Sequence, residues 1–398
     1  MDNQPSKHTS KKMVYLHIAE QGVVSKADLL SFINITTSTM NRLLEELIEE
    51  NLIEESGLGP SKGGRKPILF QINPSYGYFF GLEISRFYSS LGLFDMQMNP
   101  KSFIRWRMDE DMTPEQFVKH VSQHIRSLLN DHRLEMKQVI GIGIGAVGPL
   151  DREKGIILKP LYFPAKGWTD ISICSLMREA TGIPSYLDNG ANTALLGEHW
   201  AMRHEQLQHM LYVHAGVSLR SAMMSYGQIV HGTVDMEGSI GQMIIQTDGP
   251  RLQEQGNYGA LEAFVSVQAL EKQARSEAKM GRDELVSRYH AAPDKIQYDM
   301  LLRELSQDSP YALELFLRAA RHFGIGLANL INVFHPETII LGGTLVNSHE
   351  RFFQTAIEVA QKNTYYYPEY VPLFSKGLLK EDAVATGAAL MVWKAMDI

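Results

Sequence analysis

At Tyr76 the pattern of apolar residues changes period, and that change limits the fold more than any other feature of the chain. Upstream, apolar residues recur at helical spacing in short blocks. Downstream, short apolar runs alternate with amphipathic stretches, which is the pattern of α/β sheets. Tyr78–Ile84 and residues 89–94 and 103–108 read as three successive strands. Residues 114–130 read as a helix with Phe117, Val121, Ile125 and Leu128 inward. Residues 138–145 read as a buried strand running into a turn dense in glycine (Gly141, Gly143, Gly145, Gly148). Glycine density alone is a weak phosphate signal, and no P-loop lysine pattern accompanies it. A helix over 171–181 and a strand over 185–188 lead to Asp188-Asn189-Gly190-Ala191-Asn192. Polar residues at a strand's carboxyl end sit where open α/β sheets gather ligands. The plainer reading is that Asp188 or Asn189 caps the next helix.

A second α/β unit follows. Residues 210–214 and 222–226 read as strands, with a turn at Gly227-Gln228. Residues 238–243 and 256–264 frame a loop, and helices dominate 261–335. A short buried strand over 338–341 ends in Gly342-Gly343, and an apolar helix over 384–396 carries Gly387-Ala388-Ala389 for close packing.

The upstream block differs in kind. Residues 1–10 read as disordered and 12–20 as a helix ending at Gly22. A second helix opens with Ser25 as N-cap and Asp28 three residues on, with Ala27, Leu30 and Ile33 inward. After a turn at Asn34-Ile35, a third opens near Thr36-Thr37, its inner stripe being Met40, Leu43, Leu44, Leu47 and Ile48. Its early outward residues are Thr37, Ser38, Asn41 and Arg42. Two short helices around a tight turn, with small polar residues and an arginine leading the second, suit a helix-turn-helix, the plainer alternative being a small helical bundle that binds another protein. Candidate DNA contacts are therefore Ser25, Thr36, Thr37, Ser38, Asn41 and Arg42. Strands over 52–55 and Ile68–Ile72 then flank a wing tip with Lys62, Gly63, Gly64, Arg65 and Lys66. Its glycines let backbone approach closely, and an arginine there suits a narrow minor groove. Residues 1–70 hold eight Lys/Arg and nine Asp/Glu, the acids gathered at Glu45, Glu46, Glu49, Glu50, Glu54 and Glu55. Affinity of one copy is thus expected to be modest and salt-sensitive, which a dimer reading two half-sites offsets.

Composition narrows the class. A net charge of −7 argues against a non-specific coat for nucleic acid. The single cysteine, Cys174, excludes an intrachain disulfide framework and a cysteine zinc site, and fits a cytoplasmic protein. No apolar run approaches a membrane span. His204 and His209 are five apart and share no helical face; His120 and His124 do share one, but lack an evident third ligand.

Taken together, residues 141–151, 188–194, 238–242 and 256–262, with Leu327 to Asn332, Pro336 and Gly342-Gly343, resemble the ROK family of bacterial repressors and sugar kinases. The block ending in Gly63-Gly64-Arg65-Lys66-Pro67 resembles its repressor branch. The resemblance implies a winged helix-turn-helix over 1–72 and a two-lobed, actin-like and hexokinase-like α/β body. The first lobe spans 76–190 plus 384–398, and the second, 191–383, carries oligomerisation helices.

The departures carry the functional expectation. In family kinases an Asn-Asp pair holds the sugar and the Asp is the catalytic base; here Asn189 is followed by Gly190, which has no proton acceptor. The two phosphate turns read Glu83-Ile84-Ser85-Arg86-Phe87 and Gly216-Val217-Ser218-Leu219-Arg220-Ser221-Ala222, with side chains where amides would meet phosphate. The family's zinc positions hold Gln242, Gln253, Gln255 and Ala260, and Ser239 replaces a sugar-binding Glu. No cofactor or metal is expected. The reading is a non-catalytic transcriptional regulator, a repressor of carbohydrate-related genes. Its partners are double-stranded operator DNA, a sugar-like or sugar-phosphate effector and a second or further copies as homodimer or homotetramer. Asn189, Ser239, Gln242 and Glu262 are the candidate effector contacts. The alternative is a regulator with a vestigial pocket, controlled by a protein partner; a sugar kinase ranks below both.

Overall fold

The computed structural model describes residues 7–60, 66–235, 238–282 and 284–398. Contacts divide the chain into two compact units, Met1–Gln206 with Asp382–Ile398, and Leu207–Glu381.

The first unit opens with α1 (Lys7–Gln21), β1 (Val23–Ser25), α2 (Lys26–Phe32), α3 (Thr37–Glu49), β2 (Ile53–Leu58) and β3 (Ile68–Ile72). The strands form an antiparallel sheet of order β1-β3-β2. A capping box starts α2: Ser25 Oγ accepts the Asp28 amide at 3.3 Å, and Asp28 Oδ2 accepts the Ser25 amide at 2.9 Å. Met40, Leu43, Leu44 and Leu47 of α3 pack into one core with Val14, Tyr15 and Ile18 of α1. Residues 7–10 are helical rather than disordered, and Ser10 is buried. Leu29 of α2 and Ile33, its C-cap, are buried and Leu30 packs half-buried against the same core, as expected for Leu30 and Ile33, while Ala27 is exposed. Ile48 sits at the rim of the α3 stripe, 36% exposed.

β4 (Tyr78–Ile84), β5 (Tyr88–Asp95), β6 (Pro100–Arg107), α4 (Pro114–Asp131), β7 (Val139–Ala146), β8 (Leu150–Asp151), β9 (Ile156–Ile157), α5 (Ile173–Thr181), β10 (Ser185–Asn189) and α6 (Gly190–Ala201) follow. Their main sheet has the order β10-β7-β4-β5-β6. The second unit comprises β11 (Met210–Ala215), β12 (Leu219–Ser225), β13 (Gln228–Ile229), α7 (Val267–Lys279), α8 (Glu284–Tyr289), α9 (Tyr298–Ser306), α10 (Pro310–Phe334), β14 (Thr338–Gly342), α11 (Glu350–Lys362) and β15 (Leu373–Ser375). Its sheet has the order β13-β12-β11-β14-β15. Counted within its own sheet, each runs fifth, fourth, first, second, third: an antiparallel hairpin meander and two parallel crossover strands, built twice. This doubled plan is the two-lobed α/β fold that the resemblance implies.

The chain returns to the first unit in α12 (Ala383–Lys394). Here the glycine-rich strand finds its purpose. A Cβ on Gly81 or Gly143 would overlap the Ala385 or Ala388 carbonyl, and one on Gly387 the Thr193 carbonyl. Glycine at these positions lets α12 lie directly on β4, β7 and α6. The glycines of β7 thus serve helix-to-sheet packing. The same contact explains why α6 belongs with the first unit and the division falls after Gln206 rather than at residue 190.

Candidate nucleic-acid interface and ligand turns

The exposed start of α3 presents Thr37, Ser38 and Asn41. Thr36 is its N-cap, its Oγ1 accepting the Thr39 amide at 3.2 Å. Arg42 is half-buried and its Nη1 meets Glu46 Oε1 at 2.5 Å, one turn on. Ser25 is corrected: it is buried and engaged in the α2 capping box, so its hydroxyl does not face a partner. Lys26, absent from the sequence reading, donates to Asn41 Oδ1 at 3.1 Å and brings a cation to this surface. The signal was its place as first residue of α2, one residue past the cap. In the hairpin expected as a wing, β2 and β3 pair as far as Leu58 and Ile68, and the Gly59 amide donates to the Pro67 carbonyl at 2.8 Å. Lys66 is exposed; Lys62, Gly63, Gly64 and Arg65 lie outside the described residues.

In the first lobe, Asn189 rather than Asp188 caps α6: Asn189 Oδ1 accepts the Asn192 amide at 2.7 Å. Asp188 Oδ1 accepts the Asn189 amide at 2.7 Å and Asn192 Nδ2 at 2.9 Å. Arg152 Nη1 approaches Asp188 Oδ2 at 3.9 Å. Asp188, Asn189 and Asn192 are all buried, so this turn is a closed polar network. Gly190 occupies the first helical position with nothing to take a proton. The β4–β5 turn is likewise filled by side chains. Arg86, buried, donates from Nε to the Leu161 carbonyl at 2.7 Å, and Ser90 Oγ donates to Glu83 Oε2 at 3.1 Å.

In the second lobe the structure joins Gln242 and Glu262. Glu262 Oε1 accepts the Leu219 amide and Oε2 accepts Gln242 Nε2, both at 3.3 Å. Gln242 Oε1 accepts the Asn257 amide at 2.9 Å, and the Gln242 carbonyl accepts Asn257 Nδ2 at 3.0 Å. Ser239 begins the short turn Ser239–Gln242 and is exposed. Amides at 242, 253 and 255 and a methyl at Ala260 do not fit a zinc ion, which requires thiolate, imidazole or carboxylate donors. Hydrogen bonds of Gln242 hold the loop instead.

Two other features stand apart from these turns. His120 and His124 are not a freely solvated pair: their Nε2 atoms lie 2.9 Å apart and both rings pack on Trp106. Burial lowers both pKa values, and for His120 the neighbouring His124 lowers it further. Burial pushes the Cys174 thiol up to about 11, so it is not a poised nucleophile.

Comparison with known proteins places this architecture. The sequence model of the ROK family matches residues 81–395. A xylose repressor from Caldicellulosiruptor bescii is 26% identical over 388 residues, spanning 97% of this chain and 96% of that protein. A glucokinase from Thermotoga maritima is 27% identical over 253 residues, 63% of this chain and 78% of the kinase. The crystal structure of a ROK transcriptional regulator, a homologue of the Escherichia coli MLC protein, superposes with a TM-score of 0.75 at 19% identity, covering 98% of this chain and 99% of the other. At that identity the superposition speaks to the fold.

Proposed function

The chain belongs to the ROK family, and we propose that within it the protein is a non-catalytic transcriptional regulator, a cytoplasmic repressor of carbohydrate-related genes. The first 72 residues act as a winged helix-turn-helix: α2 and α3 are the helix pair and the β2–β3 hairpin is the wing. The observation that carries the reading is the union of this module with a body whose catalytic-base position is Gly190. Glycine there leaves no general base for phosphoryl transfer. Thr37, Ser38 and Asn41, with Lys26 beside them, are offered to base edges, and Lys66 to the backbone.

The first unit also contains a continuous path from the ligand turn to the module. α6 begins at the Asn189 cap and ends near Trp200, whose ring lies 5.5 Å from that of Trp393 in α12. Trp393 lies 5.8 Å from Tyr15 in α1, and Lys12 Nζ donates to the Met396 carbonyl at 2.7 Å. A sugar-like effector that shifts α6 therefore pushes on α1 through packed rings, altering the placement of paired reading helices in a dimer or tetramer.

A screen of sugars and sugar phosphates by thermal shift, combined with mobility shift on DNA from upstream of the regulated genes, tests this. The reading expects a ligand that raises Tm and changes operator affinity. ATP-dependent phosphorylation of a sugar, abolished by a site substitution, would overturn it.

A further inference from the structure

We propose that Lys26 and Asn41 act as a pair that selects guanine at the base pair Asn41 faces, with Lys26 the residue that sets this preference. The inference deepens the regulator reading and rests on it, since it requires α3 to enter the major groove. Thr37, Ser38 and Asn41 are exposed at the start of α3. A hydroxyl both donates and accepts, so Thr37 and Ser38 do not by themselves distinguish the purines. An asparagine does. With both ends of its amide free it reads adenine, Nδ2 donating to N7 and Oδ1 accepting from the N6 amino group.

Here the accepting end is taken. Lys26 Nζ donates to Asn41 Oδ1 at 3.1 Å. An ammonium has no acceptor, so the contact itself fixes which end of the amide turns toward Lys26. Asn41 Nδ2 keeps its protons with no partner among the described residues, and Lys26 makes no other hydrogen bond or ion pair among them. What the pair offers a groove is donors. Guanine presents two acceptors there, N7 and O6, whereas adenine sets a donor beside its N7 and thymine has one acceptor and a methyl group. Oδ1 retains a second lone pair, but an adenine amino group using it would stand beside the ammonium, donor against donor. The contact joins two fixed elements. Lys26 is the first residue of α2, directly after the Ser25 capping box, and Leu29 of α2 packs in one core with Met40 and Leu44 of α3. Arg42, of the residue type that most often reads guanine, is half-buried and held by Glu46.

The test is selection of bound duplexes from a random pool by the full-length protein, followed by mobility shift of single-base variants of the selected duplex at one salt concentration. The base pair whose preference disappears in Asn41→Ala is the one Asn41 reads. At that pair wild type prefers G·C to A·T by about tenfold, the scale of one good bidentate contact. Lys26→Met keeps the aliphatic stem and removes the ammonium, which frees Oδ1, and the preference moves to A·T. Lys26→Arg retains a donor and retains G·C. Should Lys26→Met misfold, as judged by circular dichroism, Lys26→Ala carries the same comparison. A lysine that serves only to neutralise a phosphate gives a different pattern: Lys26→Met then weakens all duplexes alike and makes the salt dependence shallower, with the base preference unchanged. That pattern overturns the pair, and so does a wild-type preference for A·T at the Asn41 position or an Asn41→Ala variant that alters no base preference. The two failures are separable. Folded wild type that enriches no sequence overturns the DNA-binding reading together with this inference, while enrichment of a duplex with adenine at the Asn41 position overturns the pair alone.

Discussion

The two lobes repeat one strand order, and each carries an arginine in the turn region of its first hairpin, yet the two arginines are in opposite situations. Arg86 is buried and donates to the Leu161 carbonyl, closing its turn. Arg220 has a buried Nε with no acceptor. The neighbouring features follow the same division. The Asp188–Asn192 turn of the first lobe satisfies its polar groups internally. The two altered turns thus differ: the first is closed by the Arg86 hydrogen bond, while the second leaves the Arg220 Nε without an acceptor.

Substitutions can break this comparison. The largest effect is expected from Gly143→Val, which drives a side chain into the Ala388 backbone and lifts α12 from its sheet. A loss of about 3 kcal/mol or more in chemical denaturation is predicted, at or above the upper end of the usual cost of overpacking, because the clash is with backbone. Next comes the arginine pair. Arg86→Ala leaves the Leu161 carbonyl without its donor and should cost about 1–3 kcal/mol. Arg220→Ala removes a partly buried side chain whose Nε has no acceptor and should change stability by less than about 0.5 kcal/mol. Equal losses in the two variants would erase the distinction. Asn189→Ala removes the α6 cap, for about 1 kcal/mol.

The smallest effect sharpens the comparison from outside both turns. Burial holds the folded pKa values of His120 and His124 below the ordinary 6.5. The unfolded chain then binds protons first as pH falls. Stability from this source is complete above about pH 6.5 and is lost as pH falls through that value toward the folded pKa values. His120→Gln with His124→Gln should flatten the decline, read as Tm against pH.

The sequence revealed the fold well where period and punctuation agreed. β4, β7 and α4 lie within a residue of their expected limits because apolar runs were bounded by turns and a Thr-Pro start. It failed where elements were too short to show a period, as with β1 and β15, three residues each. It also misjudged β12, expected from residue 222 and beginning at Leu219, because Arg220 and Ser221 broke the apolar run. At the site, residue identity told that Gly190 cannot act as a base. It could not tell which of Asp188 and Asn189 caps α6, since both side chains have the reach and only the fold orients them. Ser25 shows the same limit: one hydroxyl type serves for capping and for DNA contact, and burial decides.

DNA binding by this regulator is read out by a mobility shift of the full-length protein on DNA from upstream of the regulated genes across a salt series. A sequence-specific complex that weakens steeply with salt is expected, with a selective loss of specificity in Asn41→Ala. No complex at low salt with any upstream segment, from protein that is folded and phosphorylates a sugar with ATP, would contradict it.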